Sequence, residues 1–180
     1  MVLKKKHSVF LSGLFTPLDI KHLTGFIFIL TFFLFFPARA QAMGLEVDPE
    51  QIKIEDCLTG AKLAVSELKP QGAKLQIHNK SAQSFTYTIT PLYRSDVNIP
   101  LEKGYFDIPD TSWITPQNKE IFIPAGETKE IELYLTIPKR KKYRNKNYQA
   151  VIEIKSKKNN PEDIFVLAVQ IKMLFSTKRK

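Results

Sequence analysis

Residues 120–156 read EIFIPAGETKEIELYLTIPKRKKYRNKNYQAVIEIKS, and their pattern decides the fold class. Ile131, Leu133, Leu135 and Ile137 share one parity, with Glu132, Tyr134 and Thr136 on the other. A period of two places one row against a core and the other in water, as in a strand with one buried face. Ahead of it, Ile121-Phe122-Ile123 is a short apolar strand closed by a turn at Pro124-Ala125-Gly126. Beyond a dense basic run, Tyr148, Ala150, Ile152 and Ile154 repeat the alternation. The stretch reads as a β-meander.

Upstream of that stretch the same signals recur. Leu45-Glu46-Val47 and Ile52-Lys53-Ile54 flank Pro49 and suit an edge strand broken by a kink. Gly60 marks a turn, Leu63 and Val65 start a second strand, and Leu75-Gln76-Ile77 follows the Pro70-Gln71-Gly72 turn. Phe85, Tyr87 and Ile89 alternate with Thr86, Thr88 and Thr90, a composition that strands favour, and Pro91 is expected to end that strand. Periodicity fails over residues 92–118, where Pro100, Gly104, Pro109 and Pro116 interrupt the chain. So long an irregular connection is either functional or packed down by its own side chains. Tyr105, Phe106, Ile108, Trp113 and Ile114 are available for that packing, and Trp113 is expected to be buried. Residues 164–169 are apolar on both parities, after which Ile171, Met173 and Phe175 continue one row. Seven to nine strands without capped helices predict an all-β, immunoglobulin-like antiparallel β-sandwich over residues 43–176, with residues 177–180 as a basic tail.

The N-terminus points to a compartment. Lys4, Lys5, Lys6 and Lys21 precede an apolar run over residues 25–36, and Ala38-Arg39-Ala40-Gln41-Ala42 supplies small residues for cleavage. This is the layout of a signal peptide over residues 1–42, and an uncleaved anchor is its alternative. A typical membrane span needs about 20 apolar residues, which the run does not reach. Five Lys/Arg and one Asp precede residue 43, leaving 22 and 17 on the remaining 138 residues, a net +5. The rest of the chain is expected to be secreted or periplasmic, with membrane contact only through the N-terminal segment if it is kept. Cys57 is the only cysteine, which excludes internal disulfides, Cys-rich zinc sites and dithiol redox motifs. It reads as a small half-buried residue, the alternative being an intermolecular bond.

Pro124-Ala125-Gly126-Glu127-Thr128 before an alternating strand, then Ile137-Pro138, then Tyr148-Gln149-Ala150 entering another strand, resembles the later half of bacterial extracytoplasmic immunoglobulin-like modules. Domains of WxL-interacting proteins and the N-terminal domain of periplasmic pilus chaperones are the examples. Val47-Asp48-Pro49 and Asn79-Lys80-Ser81 fall where such modules carry a Pro-containing first strand and an Asn-x-Ser strand end. The resemblance implies the fold more than an activity. The paired basic anchors with which pilus chaperones hold a subunit's C-terminus have no counterpart that can be placed, so nothing of that site carries over.

Catalysis has little to stand on. His78 is the only histidine after residue 42, and neither a nucleophile elbow nor a paired-carboxylate motif accompanies it. Seven single glycines form no phosphate-binding loop. Asp96, Glu102, Asp107 and Asp110 lack the spacing of a dedicated calcium loop. No cofactor, metal or nucleic acid is expected, and the chain is read as a non-enzyme.

Two stretches are candidates for binding. Lys139, Arg140, Lys141, Lys142, Arg144 and Lys146 concentrate positive potential that attracts polyanions such as an anionic cell-surface polymer or lipid headgroups. The alternative is a solvated loop that keeps strands from pairing with neighbours. Phe165, Leu167, Val169 and Ile171 form the second candidate. They belong either to a strand covered on both faces or to an edge onto which a partner strand adds. The sequence therefore reads as a non-catalytic envelope module that binds an envelope protein or an anionic surface polymer. A chaperone-like protein capturing its partner by β-strand addition is the alternative.

Overall fold

The computed structural model describes residues 44–157 and 166–178, so the expected signal peptide lies outside the described residues. Residues 41–180 form a unit by themselves. The strands in chain order are β1 (Leu45–Asp48), β2 (Gln51–Cys57), β3 (Lys62–Ala64), β4 (Pro70–Gln71), β5 (Leu75–Asn79), β6 (Phe85–Leu92) and β7 (Phe106–Asp107). They continue as β8 (Ile114–Pro116), β9 (Glu120–Ile123), β10 (Thr128–Ile131), β11 (Leu133–Thr136), β12 (Asn147–Ser156) and β13 (Ala168–Thr177). One layer contains the sheets β1-β5-β10 and β3-β11-β8, continuous where β10 runs through Glu132 into β11. The other is β4-β2-β13-β12-β6-β9, with β7 beside β12. This is an all-β immunoglobulin-like sandwich. Two of its pairings, β2 with β13 and β7 with β12, are parallel.

The alternating rows form the core. Ile131, Leu133, Leu135, Ile137, Tyr148, Ala150, Ile152 and Ile154 are all buried. They are not a meander, however. β9 pairs with β6, β10 with β5, β11 with β3 and β8, and β12 with β6, β7 and β13, so no two consecutive strands of this stretch pair with each other. Alternation shows that a strand has a buried face, but not which sheet it joins. The Pro124–Gly126 turn and the basic loop carry the chain between layers instead of closing hairpins.

Other departures have equally local causes. Glu132 sits on the parity expected in water yet is buried, because the strand breaks there and its carboxylate accepts the Ser66 N–H (3.1 Å) and hydroxyl (2.5 Å). β6 continues through Pro91, which lies opposite Ile152. The Ile89 N–H donates outward to the Lys119 carbonyl (2.9 Å), so the same-parity Pro91 nitrogen faces a side that β9 no longer covers. A missing N–H costs no ladder bond there. Val65 belongs to a 3-10 turn, Val65–Glu67, and not to a strand. The pieces around Pro49 are not one kinked edge: β1 joins β5 and β2 joins β13, so the chain changes sheet between them.

Residues 92–118 are ordered by specific contacts. The buried Gln149 amide donates to the Pro100 carbonyl (3.0 Å) and accepts the Glu102 N–H (2.7 Å). Ile108, Trp113 and Ile114 are buried, as their composition predicts, whereas Phe106 is 55% exposed. Trp113 stands edge-on to Tyr143 (4.7 Å between centroids) and to Tyr148 (5.4 Å), and Tyr148 lies 5.5 Å from Phe175. Cys57 is fully buried rather than half-buried, and burial, helped by the neighbouring Asp56 charge, pushes its thiol up to about 12.

Candidate functional site

β13 has two different halves. From Lys172 to Thr177 it lies between β2 and β12. Over residues 168–171 its only hydrogen-bonded strand partner among the described residues is β12. The sheet change between β1 and β2 is the cause, since β2 first meets β13 at Gln51. The Ser156 N–H donates to the Leu167 carbonyl (2.7 Å), and the Leu167 N–H donates to Ser156 Oγ (2.9 Å). Alternation along an antiparallel ladder then directs the amides and carbonyls of Ala168 and Gln170 away from β12, toward the open side.

Side chains along this edge keep the expected period. Leu167 and Val169 are half-buried and Ile171 is buried, while Ala168 and Gln170 are exposed. Phe165, the first residue of the expected row, lies outside the described residues. A cleft of about 440 Å³ runs beside the edge, lined by Val47, Ile99, Val169 and Ile171 with Glu50, Gln51, Gln170 and Lys172 around them. Lys172 is held by Glu102 at 3.1 Å.

The basic loop occupies the other end of β13. It connects β11 to β12 through the 3-10 turn Lys141–Tyr143. The edge-on contact of Tyr143 with Trp113 holds its base. Thr177 ties it to β13: its N–H donates to the Lys146 carbonyl (2.9 Å), its hydroxyl to the Tyr143 carbonyl (2.8 Å), and its Oγ accepts the Lys146 N–H (3.0 Å). Thr177 is therefore part of the sandwich and not of the tail. Lys139, Arg140, Lys141, Lys142 and Lys146 are exposed and Arg144 is half-buried. None of the six appears in an ion pair among the described residues. At about 3.3 Å per residue, the six steps from Ile171 to Thr177 put the near ends of the two candidate regions about 20 Å apart.

The remaining polar candidates are dispersed. His78 Nδ1 lies 2.6 Å from Thr128 Oγ1. Asp107 pairs with Arg94, Glu102 with Lys172, and Asp110 accepts the Ser112 N–H. Hydrogen bonds from Ser112 hold the Asp110 carboxyl below its usual value. Among the described residues no three His, Cys, Asp or Glu side chains gather as metal ligands.

No family model and no curated protein matches the chain. Solved structures do. PapD-like domain 7 of human CEP192 aligns with a TM-score of 0.53 at 7% identity, covering 97% of this chain and 99% of that one. The periplasmic chaperone SfaE aligns with a TM-score of 0.50 at 7% identity, covering 76% of this chain. The fold is PapD-like. The chain spans 59% of the chaperone, so that likeness concerns the architecture of part of that protein.

Within this PapD-like sandwich the sequence-derived candidate residues fall into two separate groups. Leu167, Val169 and Ile171 lie along one half-strand, and the six basic residues crown the far end. Three neighbours of the basic loop were not evident from sequence. Lys178 donates its N–H to the Cys57 carbonyl (3.1 Å), Leu58 is 52% exposed beside it, and Phe106 lies under Lys146. Only long-range pairing brings them there, and no local pattern marks them.

Proposed function

We propose that this chain is a non-catalytic binding module of the cell envelope, secreted or periplasmic, that captures an extended segment of an envelope protein along residues 168–171. The observation that carries this reading is the half-strand whose Ala168 and Gln170 main-chain groups pair with no strand among the described residues. An incoming strand satisfies those groups, and alternate side chains fit the cleft beside Val169 and Ile171. Main-chain bonds supply affinity and the cleft supplies selectivity. The N-terminal segment, and the resemblance of the turns to WxL-interacting and pilus-chaperone domains, support a place outside the cytoplasm. The spent acids and His78, tied to Thr128, support a role without catalysis.

Amide exchange and one substitution test it. In the free protein the Ala168 and Gln170 amides exchange fast while Leu167, Val169 and Ile171 are protected, and partner binding slows the first pair. Gln170→Pro removes an outward N–H without touching the β12 ladder, so the fold is retained. A photoreactive residue at position 168 cross-links an envelope protein in the parent and not in this variant. Full protection of Ala168 and Gln170 in the free protein, or unchanged cross-linking in the variant, refutes the reading.

A further inference from the structure

The basic end of the sandwich carries more than cations. Leu58 follows Cys57 at the end of β2, and its neighbours are fixed on both sides. Lys178 bonds the Cys57 carbonyl, Thr59 bridges to Ile137, and the Gly60 N–H donates to the Ile137 carbonyl (2.7 Å). Gly60 itself lies under Lys139, where an added Cβ would come within 3.0 Å of the lysine Cβ. Leu58, 52% exposed, thus stands between Lys178 and Lys139. Phe106, 55% exposed, opens β7, and Lys146 Nζ lies 5.2 Å from its ring centroid. The sheet order β7-β12-β13-β2 sets these two apolar residues three strand spacings apart, about 14 Å, on either side of the basic loop.

We propose that this end docks on an anionic lipid bilayer, with Lys139, Arg140, Lys141, Lys142, Lys146 and Lys178 over the headgroups and Leu58 and Phe106 entering the interface. The cations explain attraction to any polyanion. The apolar pair discriminates, because a dissolved polymer has no apolar layer to receive it, whereas an interfacial surface joins both kinds of contact. The charge is not cancelled locally. Asp56 is the acid that the Cys57 contacts bring to this end, and Asp107, next to Phe106, is neutralised by Arg94. Trp113 and Thr177 hold the loop in place, so binding does not have to order it. Docking this way keeps the open half of β13 about 20 to 30 Å from the bilayer, free for a partner strand. Gly44, whose carbonyl accepts from Lys80, enters the domain at the opposite end. Docking through the basic end does not involve that end of the domain. It is independent of strand capture.

Residues 41–180 form a unit that contains every core residue among the described ones, and serve as the test protein. Flotation is measured with phosphatidylcholine vesicles containing phosphatidylglycerol, with pure phosphatidylcholine vesicles, and in parallel on immobilised polyphosphate. The parent binds the anionic vesicles at low salt and not the neutral ones, and added salt weakens binding. Neutralising Lys139, Arg140, Lys141 and Lys142 to Gln lowers vesicle affinity by at least about tenfold. The pair Leu58→Ser and Phe106→Ser lowers vesicle affinity by about tenfold and leaves polyphosphate retention unchanged. Phe106→Trp gives a fluorescent side chain that brominated lipid quenches. Gln170→Pro floats like the parent, which separates this site from strand capture. Absence of binding to anionic vesicles overturns the proposal. So does equal flotation of the Leu58/Phe106 variant, which would leave a purely electrostatic surface for soluble polyanions.

Discussion

Replacing Asn79 by Ala should cost this domain about 3 kcal/mol. The side chain is 1% exposed at the end of β5. Its Nδ2 donates to the carbonyls of Gln83 (2.7 Å), Pro124 (3.0 Å) and Ile123 (3.1 Å), and its Oδ1 accepts the Ser81 N–H (3.2 Å) and hydroxyl (2.6 Å). The Asn79 main chain also bonds the 124–127 turn, through its N–H to Glu127 and its carbonyl to Gly126. One residue thus joins the ends of β5, β6 and β9. Each net hydrogen bond contributes about 1 kcal/mol, and buried carbonyls left unpaired cost further. Two hydrogens serve three acceptors, and Ser81 keeps its bond to the Gln83 carbonyl, so the sum stays near ~3 kcal/mol. A domain of this size loses roughly 3 °C in Tm per kcal/mol, so calorimetry should show a drop of about 10 °C. Asn79→Asp keeps the shape and the Oδ1 acceptor but sets a carboxylate against three carbonyls, and should be at least as damaging. If both variants melt within about 3 °C of the parent, the staple contributes little and the reasoning is wrong.

Two further substitutions probe the core. Tyr87 is fully buried with its hydroxyl unpaired among the described residues, so Tyr87→Phe should leave stability unchanged or raise it by up to about 1 kcal/mol in urea unfolding. A loss above about 1 kcal/mol would mean that the hydroxyl has a partner in solution. The Cys57 thiol, pushed up to about 12 from 9.0, should resist alkylation at pH 8 until the protein is unfolded, since only about one thiol in ten thousand is then ionised. Its folded value lies above the unfolded one, so the stability linked to it is complete below pH 9 and falls as pH rises toward 12. Cys57→Ala should flatten that alkaline loss, and an unchanged alkaline profile would count against the assignment.

Local pattern and long-range pairing divide the explanation between them. The buried rows of β11 and β12 were legible because strand alternation is local, and Trp113 was legible as core because a lone large aromatic has few other places to go. Glu132 was misread for the same reason. Its parity says water, and only the approach of Ser66 from another part of the chain supplies the bonds that let it stay buried. Gln149 lies on the parity opposite to Tyr148 and Ala150, yet it is buried and its amide fastens the irregular segment through Pro100 and Glu102.

The candidate sites divide in the same way. The chemistry of residues 139–146 and the apolar row Leu167, Val169 and Ile171 are composition, and composition is written in the chain. That four described residues of β13 lack a second ladder partner depends on where β1 leaves for the other sheet. That Leu58, Phe106 and Lys178 join the basic end depends on which strands lie beside β13 and β12. A sequence by itself determines which residues want a core and which carry charge, because those are properties of side chains and of a period of two. The tertiary structure alone decides which sheet a strand joins, and so which edge is left open, because strand pairing is non-local and neither partner carries its mate's address.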